Sequence, residues 1–273
     1  MTPQLIDRKA RKQEARGLLA GARVSPVGMT ALYVLVLLVL DLVSVFSGGR
    51  GILSTFVSIL TSLMGTVLGA GFILYCMALR RGERAEYLTL FDGFSFVGRL
   101  IGLCLLMDLF IGLWSMLFIV PGIVAAYRYR FAPFNLYENP DVGILGAMEM
   151  SRRQTAGYKG QLFLLDLSYL GWTLLASVPS LIQNFLLYRE MARVLSVYMQ
   201  DPSRPLPVLD TAGILILPGW AWTLITGGWM LAVAVFFLAQ RRCVELSYFE
   251  TAKATSGVGA GVTPPAPDGL GGL

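Results

Sequence analysis

The sequence predicts an all-α, polytopic membrane protein with about six transmembrane helices and amphipathic interfacial connector helices. Of its 273 residues, 55% are hydrophobic and only 14% are charged. Soluble domains average roughly half apolar and about a quarter charged residues. The apolar residues form uninterrupted runs of about 18 or more, a length that crosses a bilayer as a helix. These runs follow one another too closely to leave room for a separate soluble domain.

A single transmembrane domain is predicted at 24–250. A basic cytoplasmic segment at 1–23 precedes it, and a disordered Gly/Pro-rich tail at 251–273 follows it. The basic segment is either an interfacial helix on anionic headgroups or a solvated positive flank that sets orientation, and the flank is favoured. The predicted spans are 24–46, 52–79, 100–120, 121–137, 162–187 and 212–239.

The number of spans depends on Pro121, which either begins a separate fourth span or kinks one long helix. If it begins a separate span, most of the 22 lysines and arginines fall in segments that share one side. Positive charge accumulates on the cytoplasmic side of membrane proteins. The charge distribution therefore favours six spans, with both termini in the cytoplasm and the protein in the cell membrane.

The 138–161 connector is predicted to contain an amphipathic helix. Ile144, Ala147, Met148 and Ser151 fall near one helical face. The charged side chains of the connector fall mainly elsewhere, as in a helix that lies at a membrane interface.

Residues 118–171 contain a dense run of motifs. An apolar span ends at a Pro-Gly-Ile sequence, a Glu-Asn-Pro-Asp turn follows, and a Ser-Arg pair and a tryptophan come later. This run resembles the family called domain of unknown function 975, which comprises uncharacterised multi-pass membrane proteins of bacteria. The resemblance implies a membrane fold of several helices and no particular activity. The residues that carry it are Pro121, Gly122, Glu138, Asn139, Pro140, Asp141, Ser151, Arg152 and Trp172.

Ionisable residues inside apolar spans are the best candidates for a polar site, because an unpaired charge in a bilayer is costly. Asp108 and Arg130 are each predicted to lie about 12 Å deep, at 1.5 Å per residue, and they meet if spans three and four are antiparallel neighbours. Asp166 is predicted within reach of Arg128 or Arg130. The cluster is interpreted either as a polar pocket or ion path, or as a structural charge pair, and the structural interpretation is favoured.

Composition argues against catalysis. The chain has no histidine, which is the usual general base and the commonest metal ligand. Cys76, Cys104 and Cys243 are widely spaced and are predicted to be apolar fillers. No metalloprotease or serine-hydrolase motif is present. We therefore expect no enzyme, no catalytic residue, no metal and no cofactor.

Two functions remain for such a protein. The favoured prediction is a non-catalytic membrane protein that binds lipids, including anionic lipids, or a membrane protein partner, in envelope assembly or stress response. The alternative is a transporter of small solutes or ions with a cytoplasmic-side polar site around Asp108 and Arg130. The net charge of +5 is attributed to cytoplasmic loops, so nucleic acid is not an expected partner.

Overall fold

A computed structural model describes residues 4–47, 52–200 and 217–259 of the chain. These residues contain helices and no strand, which confirms the predicted all-α class. In order, the helices are α1 (Arg8–Ala20), α2 (Pro26–Phe46), α3 (Ile52–Arg81), a 3-10 segment (Tyr87–Phe96), α4 (Val97–Leu117), α5 (Ile119–Arg128), α6 (Ala132–Glu138), a 3-10 turn (Pro140–Val142), α7 (Gly143–Gln154), α8 (Lys159–Gln200) and α9 (Gly219–Ser256).

Within the described residues, five helical segments are long and apolar enough to cross a membrane. They are Pro26–Phe46, Ile52–Arg81, Tyr87–Leu117, Lys159–Gln200 and Gly219–Ser256. The protein is therefore an integral membrane protein with several helical spans.

The contacts divide the chain into two compact units. The first takes in Met1–Met29, Thr66–Tyr169 and Ala239–Leu273, as far as these ranges are described. The second takes in Thr30–Gly65 and Leu170–Leu238, again within the described residues.

The predicted fourth span at 121–137 is wrong as a single helix. The chain breaks at Phe118, whose backbone is extended (φ −160°, ψ 151°), and two short helices follow, α5 and α6. Pro133 lies near the start of α6, where its missing N–H is tolerated but where it would interrupt a continuous helix. Pro121 lies in the first turn of α5, which is separate from α4, so it stands at the beginning of a new helix and does not kink one long helix.

Helices α5 and α6 form a return limb, 119–138, that runs back along α4. Gly122 lies against Ser115, and the Phe110 and Tyr129 rings are 6.1 Å apart between centroids. Further along, Leu103 packs with Ala132 and Leu136. At the start of α4, the Phe96 and Tyr137 rings are 5.6 Å apart. The return limb therefore follows nearly the whole length of α4, as antiparallel spans would, but with a break in the middle.

Other predicted bounds also differ from the structure. Helix α8 continues through Gln200, so half of the predicted 188–211 connector is helical. Helix α9 continues through Ser256, so the first six residues of the predicted tail at 251–273 are helical, because Leu246, Tyr248 and Phe249 are buried in the first unit. Residues 201–216 and 260–273 lie outside the described residues, and with them the start of the sixth predicted span.

The N-terminal segment contains a helix that packs against the rest of the first unit, whereas the favoured prediction was a solvated flank. In α1, Ala15 is fully buried, Arg11 bonds Thr251 of α9, and the amide of Gln240 donates to the Lys12 carbonyl. The Asp7 side chain caps the helix by accepting from the Lys9 and Ala10 N–H groups. These contacts fix α1 against the C-terminal half of α9.

Helix α3 receives the 3-10 segment on a strip of small residues. A Cβ atom on Gly71 would lie 1.8 Å from the Leu90 carbonyl oxygen, and one on Gly93 would lie 2.5 Å from the Val67 carbonyl oxygen. Two backbones approach this closely only where glycine removes the side chain. In the second unit, a Cβ atom on Gly65 would lie 3.4 Å from the Leu37 side chain of α2, which is an ordinary van der Waals distance.

We predict that Gly71→Ala destabilises the protein by about 1–3 kcal/mol, because the added methyl group would collide with backbone that cannot rotate away. Gly112→Ala in α4 is the matched control. It also adds one methyl group to a helix, but nothing lies within 4 Å of the position. Thermal unfolding in detergent compares the two variants. An equal melting temperature for both would contradict the close packing at Gly71.

Candidate functional site

Arg130 lies in the turn between α5 and α6 and joins the return limb to α8 and α9. Its Nε donates to Glu245 Oε1 at 2.6 Å. Its Nη1 and Nη2 donate to the two oxygens of Asp166 at 2.6 and 3.0 Å, which is the bidentate geometry that suits a guanidinium and a carboxylate. One side chain therefore connects three elements of the first unit.

The two carboxylates bind three further donors. Tyr127 donates to Asp166 at 2.9 Å, Arg241 donates to Asp166 at 3.1 Å, and Arg242 donates to Glu245 at 2.9 Å. We call these six side chains the Arg130 ion cluster. All four carboxylate oxygens in it accept at least one hydrogen bond. Only 3% of the Glu245 side chain is exposed, so its charge depends on these partners rather than on water.

The cluster includes two of the four predicted site residues. Arg130 and Asp166 come together, as the reach of the arginine predicted. The Asp108–Arg130 pairing is not formed. Asp108 lies on an exposed face of α4, and among the described residues no cation lies within ion-pair distance of it. The face of α4 that packs against the return limb contains Leu103, Leu106 and Phe110. The helical spacing places Asp108 on a different face of α4.

Arg128 is separated from the cluster by the break itself. It is the last residue of α5, and its backbone carbonyl accepts from Ser151 Oγ at 2.8 Å and from Thr155 Oγ1 at 3.2 Å. Within the described residues, its side chain forms no ion pair. Of the two predicted arginines, Arg130 therefore belongs to the ion cluster, and Arg128 contributes only its backbone carbonyl to the turn.

Sequence reasoning missed Glu245, Arg241 and Arg242. The predicted sixth span ends at 239, so these residues fall in the charged segment after it, inside the 24–250 domain but outside every predicted span. A usable signal was present, because Arg242 and Glu245 are spaced i, i+3 and would form an ion pair on a continuing helix. The contact between Glu245 and Arg130 could not be predicted from spacing, because the two residues are far apart in the sequence.

Ser151 holds the break in the return limb together. Its hydroxyl donates to the Arg128 carbonyl and accepts from the Phe131 N–H at 3.0 Å. Both backbone groups would bond within the helix if α5 and α6 were continuous. Ser151 is fully buried on α7, so the predicted apolar face of that connector helix does contact the core. Ser151 therefore replaces the missing helical bonds, which gives this family-motif residue a structural role.

The remaining motif residues have separate structural roles. A Cβ on Gly122 would lie 2.9 Å from Ser115 Cα, so this glycine allows α5 to approach α4. Glu138 bonds Arg81 at 3.2 Å and Lys253 at 2.6 Å.

Around the Pro140–Val142 turn, the Asn139 side chain accepts from the Asp141 N–H, and Asp141 lies 3.3 Å from Arg99. Arg152 forms an exposed pair with Glu149 at 3.5 Å. In the second unit, Trp172 stacks on Phe237 with ring centroids 5.9 Å apart.

Ion pairs and hydrogen bonds also bring the basic segments of the first unit together. Arg80 at the end of α3 bonds Glu250 of α9, and its guanidinium also contacts Glu14 of α1 at 3.3 Å. Burial raises the pKa of Glu14, but the hydrogen bond and charge of Arg11 and the charge of Arg80 outweigh it, so the pKa lies below its ordinary value. Contacts of Arg80, Arg81 and Glu138 therefore link the N-terminal, 80–99, 138–161 and C-terminal segments within this unit.

Residues 118–201 match the model of a family described as "Protein of unknown function (DUF975)". The family resemblance is confirmed. The DUF975 match begins at Phe118, where the backbone breaks, and covers the return limb, α7 and α8, which is under a third of the chain. A search of curated proteins and a search of solved structures each found no match.

We predict that Glu245→Gln destabilises the protein by about 3–5 kcal/mol, because it leaves the buried Arg130 and the half-buried Arg242 short of one counter-charge. Glu149→Gln is a matched control, since Glu149 also bonds two arginines, Arg152 and Arg153, but is fully exposed. It should leave the unfolding midpoint unchanged. Denaturant unfolding in detergent measures both variants. Equal stability of Glu245→Gln and the parent would mean that the cluster does not hold α9.

Proposed function

We propose that this protein is a non-catalytic component of the cell membrane that binds anionic phospholipid headgroups through α1 at the cytoplasmic face. The observation that carries the proposal is the imbalance of charge on α1. The helix and its cap hold five cations (Arg8, Lys9, Arg11, Lys12 and Arg16) and only two acids, Asp7 and Glu14. Clusters of basic residues on an interfacial helix are typical of binding to anionic lipid surfaces.

Both acids are already engaged. Asp7 caps the helix through the Lys9 and Ala10 N–H groups, and Glu14 bonds Arg11 at 2.8 Å and Arg80 at 3.3 Å. Arg8 donates to a carbonyl of α8, that of Leu164, rather than to a carboxylate. Four cations of α1 therefore have no carboxylate partner within the described residues.

Three of these cations line one open cleft. The α1 cleft has a volume of about 540 Å³, and its charged and polar lining residues are Asp7, Arg8, Lys9, Lys12 and Ser168, so three cations outnumber one carboxylate. Leu5, which is 89% exposed, lies at its edge and supplies an apolar contact beside the cationic groups. A phosphodiester oxygen can accept from lysine, arginine and serine donors together, while the leucine meets the acyl region.

The electrostatics of Lys12 support an anionic ligand. Burial lowers the pKa of Lys12, and the neighbouring Arg8 and Arg16 charges lower it further. Its ammonium lies 4.2 Å from the centre of the Tyr169 ring, and not against a carboxylate. A bound phosphate would offset this repulsion and favour the charged form of the lysine.

Transport is the second candidate, and the broken return limb favours it, because interrupted helices are a feature of many transporters. The polar groups at this break are paired within the chain, however. The Ser151 and Thr155 hydroxyls donate to the Arg128 carbonyl, and the Arg130 side chain is bonded within the ion cluster. Lipid binding is therefore the better-supported proposal.

The lipid proposal predicts a salt-sensitive preference for phosphatidylglycerol over phosphatidylcholine. Spin-labelled lipids report this preference for the full chain reconstituted in phosphatidylcholine bilayers. At about 1 kcal/mol per basic residue near the surface, Lys9→Gln/Lys12→Gln should reduce the preference about tenfold or more. The paired control is Arg152→Gln/Arg153→Gln, which removes two cations that already share Glu149.

Equal loss of preference in both double variants would show that net charge alone governs lipid contact and would overturn a site on α1. Retention of the full preference in Lys9→Gln/Lys12→Gln would overturn it as well. Co-purification of a stoichiometric membrane protein, without any lipid preference, would favour a protein partner for the same basic surface.

If both termini are cytoplasmic, cysteines introduced at two exposed positions should lie on opposite sides of the membrane. The test uses a chain whose native cysteines have been replaced. Gly17→Cys lies on α1 with open space around it, and Ser196→Cys lies near the end of α8. An impermeant maleimide should label Ser196→Cys in intact cells and Gly17→Cys only after permeabilisation. Labelling of Gly17→Cys in intact cells would place the basic helix outside and contradict the proposed lipid surface.

A further inference from the structure

A cavity between α2 and α3, in the second unit, is lined mainly by polar side chains. It has a volume of about 410 Å³, and five of its eight lining residues are polar: Asp41, Ser44, Ser58, Thr61 and Ser62. Asp41 lies five residues from the end of α2, which is about 7 Å along the helix. The Asp41 cavity is separate from the residues of the ion cluster and of the α1 cleft.

Asp41 carries a charge for which the described chain provides no counter-ion. Its side chain is exposed on an apolar helix, and no lysine or arginine among the described residues lies within ion-pair distance. A lone carboxylate at this position in a membrane span is costly unless a cation or a proton accompanies it.

Two hydroxyl groups beside Asp41, those of Ser44 and Thr61, bond each other and can offer oxygen lone pairs to a ligand. Thr61 Oγ1 donates to the Ser58 carbonyl at 3.1 Å, which uses its only hydrogen. When Thr61 donates to this carbonyl, Ser44 is the donor in the 2.9 Å bond between Ser44 Oγ and Thr61 Oγ1. With its hydrogen committed, the Ser44 oxygen faces a ligand only as an acceptor.

We propose that the Asp41 cavity binds a small monovalent metal cation of the Na⁺ class. Carboxylate and hydroxyl oxygens are hard ligands that suit such an ion. One carboxylate neutralises one positive charge, whereas a divalent ion would leave an excess charge inside the bilayer and normally takes several carboxylates. The site is independent of the lipid surface on α1.

Thermal unfolding of the purified full chain tests the site. At constant ionic strength, NaCl in place of choline chloride should raise the melting temperature saturably, by about 3 °C. Asp41→Asn should abolish the rise. Ser44→Ala and Thr61→Val, which leave the carboxylate in place, should each shift the Na⁺ midpoint to higher concentration. Equilibrium binding of ²²Na⁺ to the parent chain should give one site per chain. This measurement tests the proposal even if Asp41→Asn does not fold.

Asp108→Asn is the matched control, because it removes another exposed carboxylate from an apolar helix and should keep the Na⁺ response. An equal rise with choline and Na⁺, or a response that persists in Asp41→Asn, overturns the proposal. A melting temperature that depends on pH through Asp41 but not on Na⁺ overturns it in favour of a proton. If Arg50→Gln destabilises as much as Asp41→Asn and neither responds to Na⁺, the counter-ion is that arginine, and the proposal fails.

Discussion

The guanidinium of Arg130 is the interaction on which the first unit depends. It lies where the return limb is broken and bonds a carboxylate from each of two long helices. A buried ion pair adds little net stability over an apolar contact, but removal of one partner is strongly destabilising. Its main effect is therefore on specificity, since α8 and α9 satisfy both carboxylates only in one register relative to the turn. The favoured interpretation from the sequence, a structural charge pair, agrees with this geometry. The partners of Arg130 are Asp166 and Glu245, however, and not Asp108.

The break in the return limb creates backbone groups that a continuous helix would have satisfied. Ser151 and Thr155 supply the missing partners from α7, and the paired amides of Asn135 and Gln154 bond each other nearby at 2.8 and 2.9 Å. Because these groups are buried, each unsatisfied one would cost roughly 1–3 kcal/mol. The DUF975 segment thus contains both the break and the polar residues that compensate for it.

The structural polar groups differ from the candidate ligand sites in whether their charged side chains are paired within the chain. In the Arg130 ion cluster every carboxylate oxygen accepts at least one hydrogen bond, and each carboxylate is paired with arginine. The α1 cleft has three cations and one carboxylate, that of Asp7, which caps α1, and no described cation lies within ion-pair distance of the carboxylate in the Asp41 cavity. The two proposals follow from this imbalance, since a site that binds a charged ligand must leave the opposite charge uncompensated in its absence.

The sequence by itself determined the membrane class, the all-α fold, the family segment and the connector face that contains Ala147 and Ser151. These properties depend on local composition and on helical period, which are read within a few turns. It also predicted that Asp166 lies within reach of Arg130. Tertiary structure decided the break at Phe118, the pairing with Glu245 and the separation of Asp108 from Arg130. An α-helix turns about 100° per residue, so a break of a few residues re-aims every later side chain. The partner of Arg130 therefore depends on packing and not on its depth in a span.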